Sequence, residues 1–246
     1  MFTYQIKVEY FGANFVGWQI QKNGVSVQEV LEKALSNFLK NKVLIVGSGR
    51  TDAGVHAHEQ SAHFKTKKKI LDKNSFINSI NFFLKKYPIA ILDIKKRSSK
   101  FHARYSANKR IYKYYIVNRV PSLVLEKNKV WHIKKKLNIN AMKEGAKLLK
   151  GTHNFSTFRS SSCESKSPVK TLKKVSIKIN KKKIILTFIS KSFLQQQVRS
   201  MVGALKYLGE GKWTLSDFKK AFKSKKRSMC APPAPPCGLY LHKVKY

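Results

Sequence analysis

Two stretches decide how this chain reads: FTYQIKVEY, from Phe2 to Tyr10, and SVQEVLEKALSNFL, from Ser26 to Leu39. In the first, Phe2, Tyr4, Ile6, Val8 and Tyr10 alternate with Thr3, Gln5, Lys7 and Glu9, the period of a strand with one buried face. In the second, Ser26 and Glu29 stand at capping-box spacing, and Val27, Val30, Leu31, Ala34, Leu35, Phe38 and Leu39 recur with the period of a helix. Outward from these, Val43 to Val46 reads as a short buried strand, Gly47 to Gly54 as a glycine-punctuated loop, and His56 to Lys65 as a less regular strand. Phe76, Ile77, Ile80, Phe83 and Leu84 mark a second helix that stops before Pro88, and Ile89 to Ile94 a further strand. The order is β-α-β-β-α-β.

After Lys95 to Lys100 the order begins again. A strand runs through Arg110 to Asn118, and a helix from about Asn140 to Lys150 is closed by Gly151. Val175 to Ile179 and Ile184 to Ile189 flank the turn Asn180 to Lys183 as a hairpin. Leu194, Val198, Met201, Val202, Leu205 and Leu208 share one face of the next helix, a short helix starts near Thr214, and Leu239 to Tyr246 is a closing strand. The expected fold class is α+β: two ferredoxin-like halves, 1–105 and 106–246, with mainly antiparallel sheets side by side around a basic cleft. The basic, aromatic segment Arg97 to Asn108 and the serine-rich Ser160 to Ser167 read as mobile loops suited to touching a substrate. Ala231 to Cys237, with four prolines, reads as a rigid connector without chemistry of its own.

Composition narrows the function classes. Lys and Arg number 51 against 12 Asp and Glu, a formal net charge of +39, and such a surplus attracts polyanions, nucleic acid first. Only 8 of these cations are Arg, so a lysine-rich genome is the competing source of the excess. At 246 residues with 42% hydrophobic content the chain folds as one large domain or two small ones. The three cysteines, Cys163, Cys230 and Cys237, lack the spacing of a disulfide framework or a zinc finger and fit a reducing compartment. No run has the apolar length of a signal peptide core or a membrane span, so the expected location is cytoplasmic.

One of only four aspartates, Asp52, sits in Gly47-Ser-Gly-Arg-Thr-Asp-Ala-Gly-Val-His-Ala57. Flanking glycines permit close approach of backbone to a ligand, and Arg50 and Thr51 set a cation and a hydroxyl beside the carboxylate. The Lys-Ser/Thr ending of a phosphate loop is absent. Taken locally, an Asx-turn in which Asp52 caps its own backbone is the competing reading. His56, His58 and His63 have no carboxylate or cysteine at ligand spacing, which speaks against a metal site.

This loop resembles the signature loop of the tRNA pseudouridine synthase A family. In that family's order follow Tyr10-Phe-Gly12 with Gly17-Trp-Gln19, Phe101-His-Ala-Arg-Tyr-Ser-Ala107, Arg110-Ile-Tyr-Lys-Tyr114, Asn154-Phe-Ser-Thr-Phe-Arg159, Pro168-Val-Lys-Thr-Leu172, Phe193 to Leu205, and Ala234 to Leu241. These blocks span nearly the whole chain. The resemblance implies the pseudouridine synthase fold and isomerisation of uridine to pseudouridine in the anticodon arm, at positions 38, 39 and 40. It also implies no metal or organic cofactor, and a homodimer that grips tRNA.

It implies Asp52 as nucleophile, Tyr112 packed on the target uracil, and Arg199 as the cation paired with Asp52. An arginine beside a carboxylate favours the ionised form that attacks carbon, and its planar fork holds that carboxylate in one orientation. Arg50, Arg104, Lys109 and Arg110 are candidate phosphate or base contacts, since basic and aromatic residues interleave around Tyr112. The alternatives are a non-catalytic tRNA-binding protein with the same surface, or another RNA-modifying enzyme. Neither a carboxylate cluster for a two-metal nuclease nor a glycine-rich methyl-donor loop is present in the sequence.

Overall fold

A computed structural model describes residues 1–246. In chain order the elements are β1 (Phe2–Tyr10), α1 (Val27–Leu39), β2 (Ile45–Gly47), β3 (His56–Thr66), α2 (Lys73–Leu84), β4 (Ile89–Arg97), β5 (Lys109–Asn118), β6 (Trp131–Ile133), α3 (Ile139–Leu149), β7 (Gly151–Asn154), β8 (Val169–Asn180), β9 (Lys183–Ser190), α4 (Gln197–Gly209), α5 (Leu215–Ser224) and β10 (Leu239–Lys245). They form two compact units, Met1–Asn108 with Tyr240–Tyr246, and Lys109–Leu239. Both are α+β with mainly antiparallel sheets.

In the first unit β1 lies between β4 and β3, antiparallel to both. The far edge of β3 is shared by β2, antiparallel along Ala62 to Phe64, and β10, parallel at His56 and Ala57. Tyr4, Ile6, Val8 and Tyr10 of β1 are buried, as the alternation predicts, together with Val27, Val30, Leu31, Ala34, Leu35 and Leu39 of α1. Fully burying each such Leu or Val is worth about 1.5–3 kcal/mol. The Ser26 side chain accepts from the Glu29 amide and starts α1 where the capping pattern places it.

Three expectations shift here. The weak alternation of β3 reflects burial on both faces: Ala62 and Phe64 belong to the core, while Gln60, Ser61 and His63 are buried polar residues with partners. Gln5 Nε2 donates to Ser61 Oγ at 2.7 Å, and the Ala103 amide to His63 Nδ1 at 3.1 Å. Val43 is buried but outside the strand, because its amide donates to Ser36 Oγ of α1 and cannot join the ladder. The closing strand, read from sequence with the second half, groups with the first unit. Its residues 240–246 are tied there by Tyr246, whose hydroxyl donates to the Ala103 carbonyl (2.9 Å) and shares a hydrogen bond with Ser61 Oγ (2.8 Å), and by the Asn108 amide on the Lys245 carbonyl.

The second unit is the sheet β5-β9-β8-β7, antiparallel throughout, with β6 parallel to β5 on its other side. β6 and β7 are three and four residues long, too short to carry a readable period. Arg110, Tyr112, Tyr114 and Ile116 point to one, buried face of β5, opposite Ser190, Phe188, Leu186 and Ile184 of β9. Leu194 is buried yet precedes α4: Gln196 takes a left-handed conformation (φ 59°), and the helix begins at Gln197, whose Oε1 accepts from the Leu194 amide.

Candidate active site

The loop carrying Asp52 leaves β2 and enters β3, and it is tied down at both ends. On the β3 side, the Ser48 amide donates to the Ser61 carbonyl, Ser48 Oγ donates to Gln60 Oε1 (2.7 Å), and Gln60 Nε2 returns to the Gly49 carbonyl (2.9 Å). On the other side lies the segment after β1. The Trp18 amide donates to the Thr51 carbonyl at 3.1 Å, Gly17 and Asp52 form an antiparallel bridge, and the Tyr10 hydroxyl and Thr51 Oγ1 share a hydrogen bond of 2.8 Å. The Val55 amide then closes a turn on the Asp52 carbonyl (3.1 Å). The backbone that presents the half-buried Asp52 is therefore fixed on either side of the residue.

Gly17 makes this clamp possible. Its φ of +118° is closed to ordinary L residues, and a Cβ there would sit 2.6 Å from the Thr51 carbonyl oxygen. Gly17→Ala is expected to destabilise the protein by roughly 1–3 kcal/mol. Thermal melting should show a drop of several degrees, accompanied by reduced turnover; an unchanged melting temperature would mean that the clamp tolerates displacement.

In the second unit, Tyr112 is 8% exposed and meets Phe193 edge to face, ring centroids 5.1 Å apart. Arg199 lies in the first turn of α4 and is held by one residue through both of that residue's peptide groups. Its Nε donates to the Ala234 carbonyl (2.8 Å), and the Ala234 amide donates to the Arg199 carbonyl (2.9 Å). The Nε bond restricts where the guanidinium can point.

The profile of the family described as tRNA pseudouridine synthase matches residues 6–106 and 146–246. The chain is 59% identical over 246 residues to the tRNA pseudouridine synthase A of Pelagibacter ubique, with 100% of both chains covered. It is 43% identical over 243 residues to that of Parvibaculum lavamentivorans (99% of this chain, 98% of the relative) and 44% identical over 243 residues to that of Maricaulis maris (99% and 97%). The chain belongs to the tRNA pseudouridine synthase family. The two profile-matched spans of this pseudouridine synthase family member contain Arg50, Asp52, Arg104 and Arg199, while Lys109, Arg110 and Tyr112 lie between them.

The other expected contacts sort by exposure. Arg50 and Arg104 are exposed, and Arg104 lies 5.7 Å over the Tyr105 ring. The segment around Arg104, read from sequence as mobile, is pinned at Ala103 by His63 and Tyr246, so that only its tip projects. Lys109 and Lys113 are half-exposed on one face of β5. Arg110, expected as a phosphate or base contact, is on the opposite face, 8% exposed, with Nη1 donating to the Lys191 carbonyl.

The histidines have main-chain duties. His56 Nδ1 accepts from the Gly12 amide (2.8 Å) and His63 Nδ1 from Ala103, so each carries its neutral-form proton on Nε2. Burial, then His102 and Lys65, lowers the His63 pKa and keeps the ring neutral. Sequence reasoning had no physical role for Gly17, Trp18 or Ala234 beyond their place in family blocks, and none for the Tyr10 hydroxyl. The glycine next to a tryptophan, Gly17-Trp18, was the one local signal of a clamp.

Proposed function

We propose that this protein isomerises uridine to pseudouridine in tRNA, and that its targets are positions 38, 39 and 40 of the anticodon arm. The observation that carries the reading is the rigidly held Asp52 loop in a chain of this family. Asp52 is the nucleophile. The bond from C1' of ribose to N1 of uracil breaks, a bond from C1' to C5 forms, and the proton lost from C5 is balanced by one gained at N1. No atoms are gained or lost, so neither redox partner nor energy donor is required. Arg199 pairs with Asp52 and keeps it ionised, and Tyr112 packs on the extracted uracil. Unstacking the target base costs a few kcal/mol, which the remaining RNA contacts supply. The enzyme acts in the cytoplasm as a homodimer gripping one tRNA. The positions, the dimer and the three residue roles rest on the resemblance of the sequence blocks to the family.

The test is a map of pseudouridine in tRNA with and without the enzyme, expecting new sites at 38, 39 and 40 and an unchanged RNA mass. Binding without any new pseudouridine would favour a non-catalytic tRNA-binding protein.

Binding should also fall linearly on a log–log plot against salt, by roughly 0.7 to 0.9 per phosphate contact. Lys109 and Lys113 are half-exposed cations of the strand that carries Tyr112, on its opposite face, and neutralising both should flatten that slope. Neutralising Lys181 and Lys182 in the β8–β9 turn should leave it nearly unchanged. Equal effects from the two pairs would mean that the charge acts as a diffuse cloud.

A further inference from the structure

The proline-rich run before β10 is more than a connector. Ala231 and Ala234 are 2% and 0% exposed. The run lies so close to α4 that a Cβ on Gly203 would stand 2.0 Å from the Pro232 carbonyl oxygen. Two consecutive carbonyls are hydrogen-bonded: Ala234 O accepts from Arg199 Nε at 2.8 Å, and Pro235 O accepts from the Tyr114 hydroxyl at 2.7 Å. Tyr114 is 0% exposed, and its ring is pressed by Gly238, where a Cβ would approach Cε1 and Cζ to 2.6 Å. Burial first, and Cys237 next, hold the Tyr114 hydroxyl far above its ordinary pKa, with Arg199 opposing, so it remains a neutral donor over the working pH range.

The two carbonyls are mechanically coupled. Proline fixes its own φ and restricts the residue before it to extended conformations, so Ala234, before Pro235, and Pro235, before Pro236, have little freedom to turn independently. A shift at Pro235 moves the Ala234 carbonyl, and with it the guanidinium that donates to it.

We propose that Tyr114 is a positioning residue for Arg199, acting through the Pro235–Ala234 peptide rather than by contact with RNA. This rests on the reading of Arg199 as the cation of the reaction. Tyr112, two residues earlier on the same face of β5, and Arg199 are thereby set by one strand, since Tyr114 ties that strand to Pro235, the neighbour of the residue that holds Arg199.

The experiment is single-turnover pseudouridine formation by the full-length enzyme on tRNA, with tRNA affinity and melting temperature measured alongside. Tyr114→Phe should slow the reaction about tenfold, the size of one lost hydrogen bond, with affinity changed less than about twofold. Arg199→Lys lacks the Nε donor to Ala234, so adding Tyr114→Phe to it should lower the rate by less than about twofold more. Multiplicative losses in the double variant, or a lower melting temperature at an unchanged rate per folded enzyme, would overturn the positioning role. A normal rate in Arg199→Lys, seen without reference to Tyr114, would instead overturn the assignment of Arg199. Gly238→Ala, which keeps the hydroxyl but crowds the ring, is the second variant. Its loss of rate should likewise vanish in the Arg199→Lys background, and persistence there would count against the proposal even if Tyr114→Phe failed to fold.

Discussion

Asp52→Asn should abolish pseudouridine formation, by on the order of a thousandfold or more, while leaving the fold and tRNA affinity intact. The amide has the shape of the carboxylate but no charge with which to attack carbon. Ties of the loop run through the Thr51 carbonyl and hydroxyl, the Asp52 carbonyl and Gly49, all of which the asparagine variant keeps. Because the amide is isosteric with the carboxylate, the melting temperature should stay within about a degree or two, well under the shift that a loss of 1 kcal/mol produces. Turnover is to be measured by mapping the modified base, and affinity by equilibrium binding. Residual activity above a few per cent of normal would remove Asp52 from the role of nucleophile.

Arg199→Ala is expected to have the next largest effect, a fall in turnover of roughly 10²–10³, the usual cost of one lost group that stabilises charge in a closed site. Its effect on tRNA affinity should be far smaller, because its task is local to one carboxylate. Arg199→Lys should recover only part of the loss: an ammonium restores the charge but neither the planar fork nor the Nε donor that the Ala234 carbonyl accepts. Leaving that carbonyl without its donor adds a stability loss of about 1 kcal/mol in either variant. Single-turnover rates and binding constants measured on the same preparations separate these effects. An unchanged rate in Arg199→Ala would return the residue to a structural role, as a brace between α4 and the proline-rich run.

Much of the fold was legible in the sequence because its signals are carried by neighbours in the chain. The period of two in β1 and the Ser26 cap with the apolar stripe of α1 each depend on residues within a few positions of one another. β3 was harder to read because polar Gln60 shares the core face with Ala62 and Phe64, Ser61 and His63 on the other face are buried too, and the partners Ser48, Gln5 and Ala103 come from elsewhere in the chain. Arg110 shows the same limit for the candidate site. Its basic and aromatic neighbours in sequence suggested a phosphate or base contact, while only the structure shows that the alternation of β5 turns it to the buried face with Tyr112 and Tyr114.

By itself the sequence determined the β-α-β-β-α-β order of the first unit, the α+β class, and the Asp52 loop as the place to look for chemistry. Helical period, capping and glycine content are local properties, and the order of family blocks needs no coordinates. Only the tertiary structure decided that β10 pairs with β3, that Gly17 and Trp18 clamp the Asp52 loop, and that the proline-rich run holds Arg199 and Tyr114. Those ties join residues far apart in the chain, 35 positions for Arg199 and Ala234 and 121 for Tyr114 and Pro235. A hydrogen bond at such a distance depends on where the intervening elements pack, and no pattern in the neighbourhood of either partner encodes it.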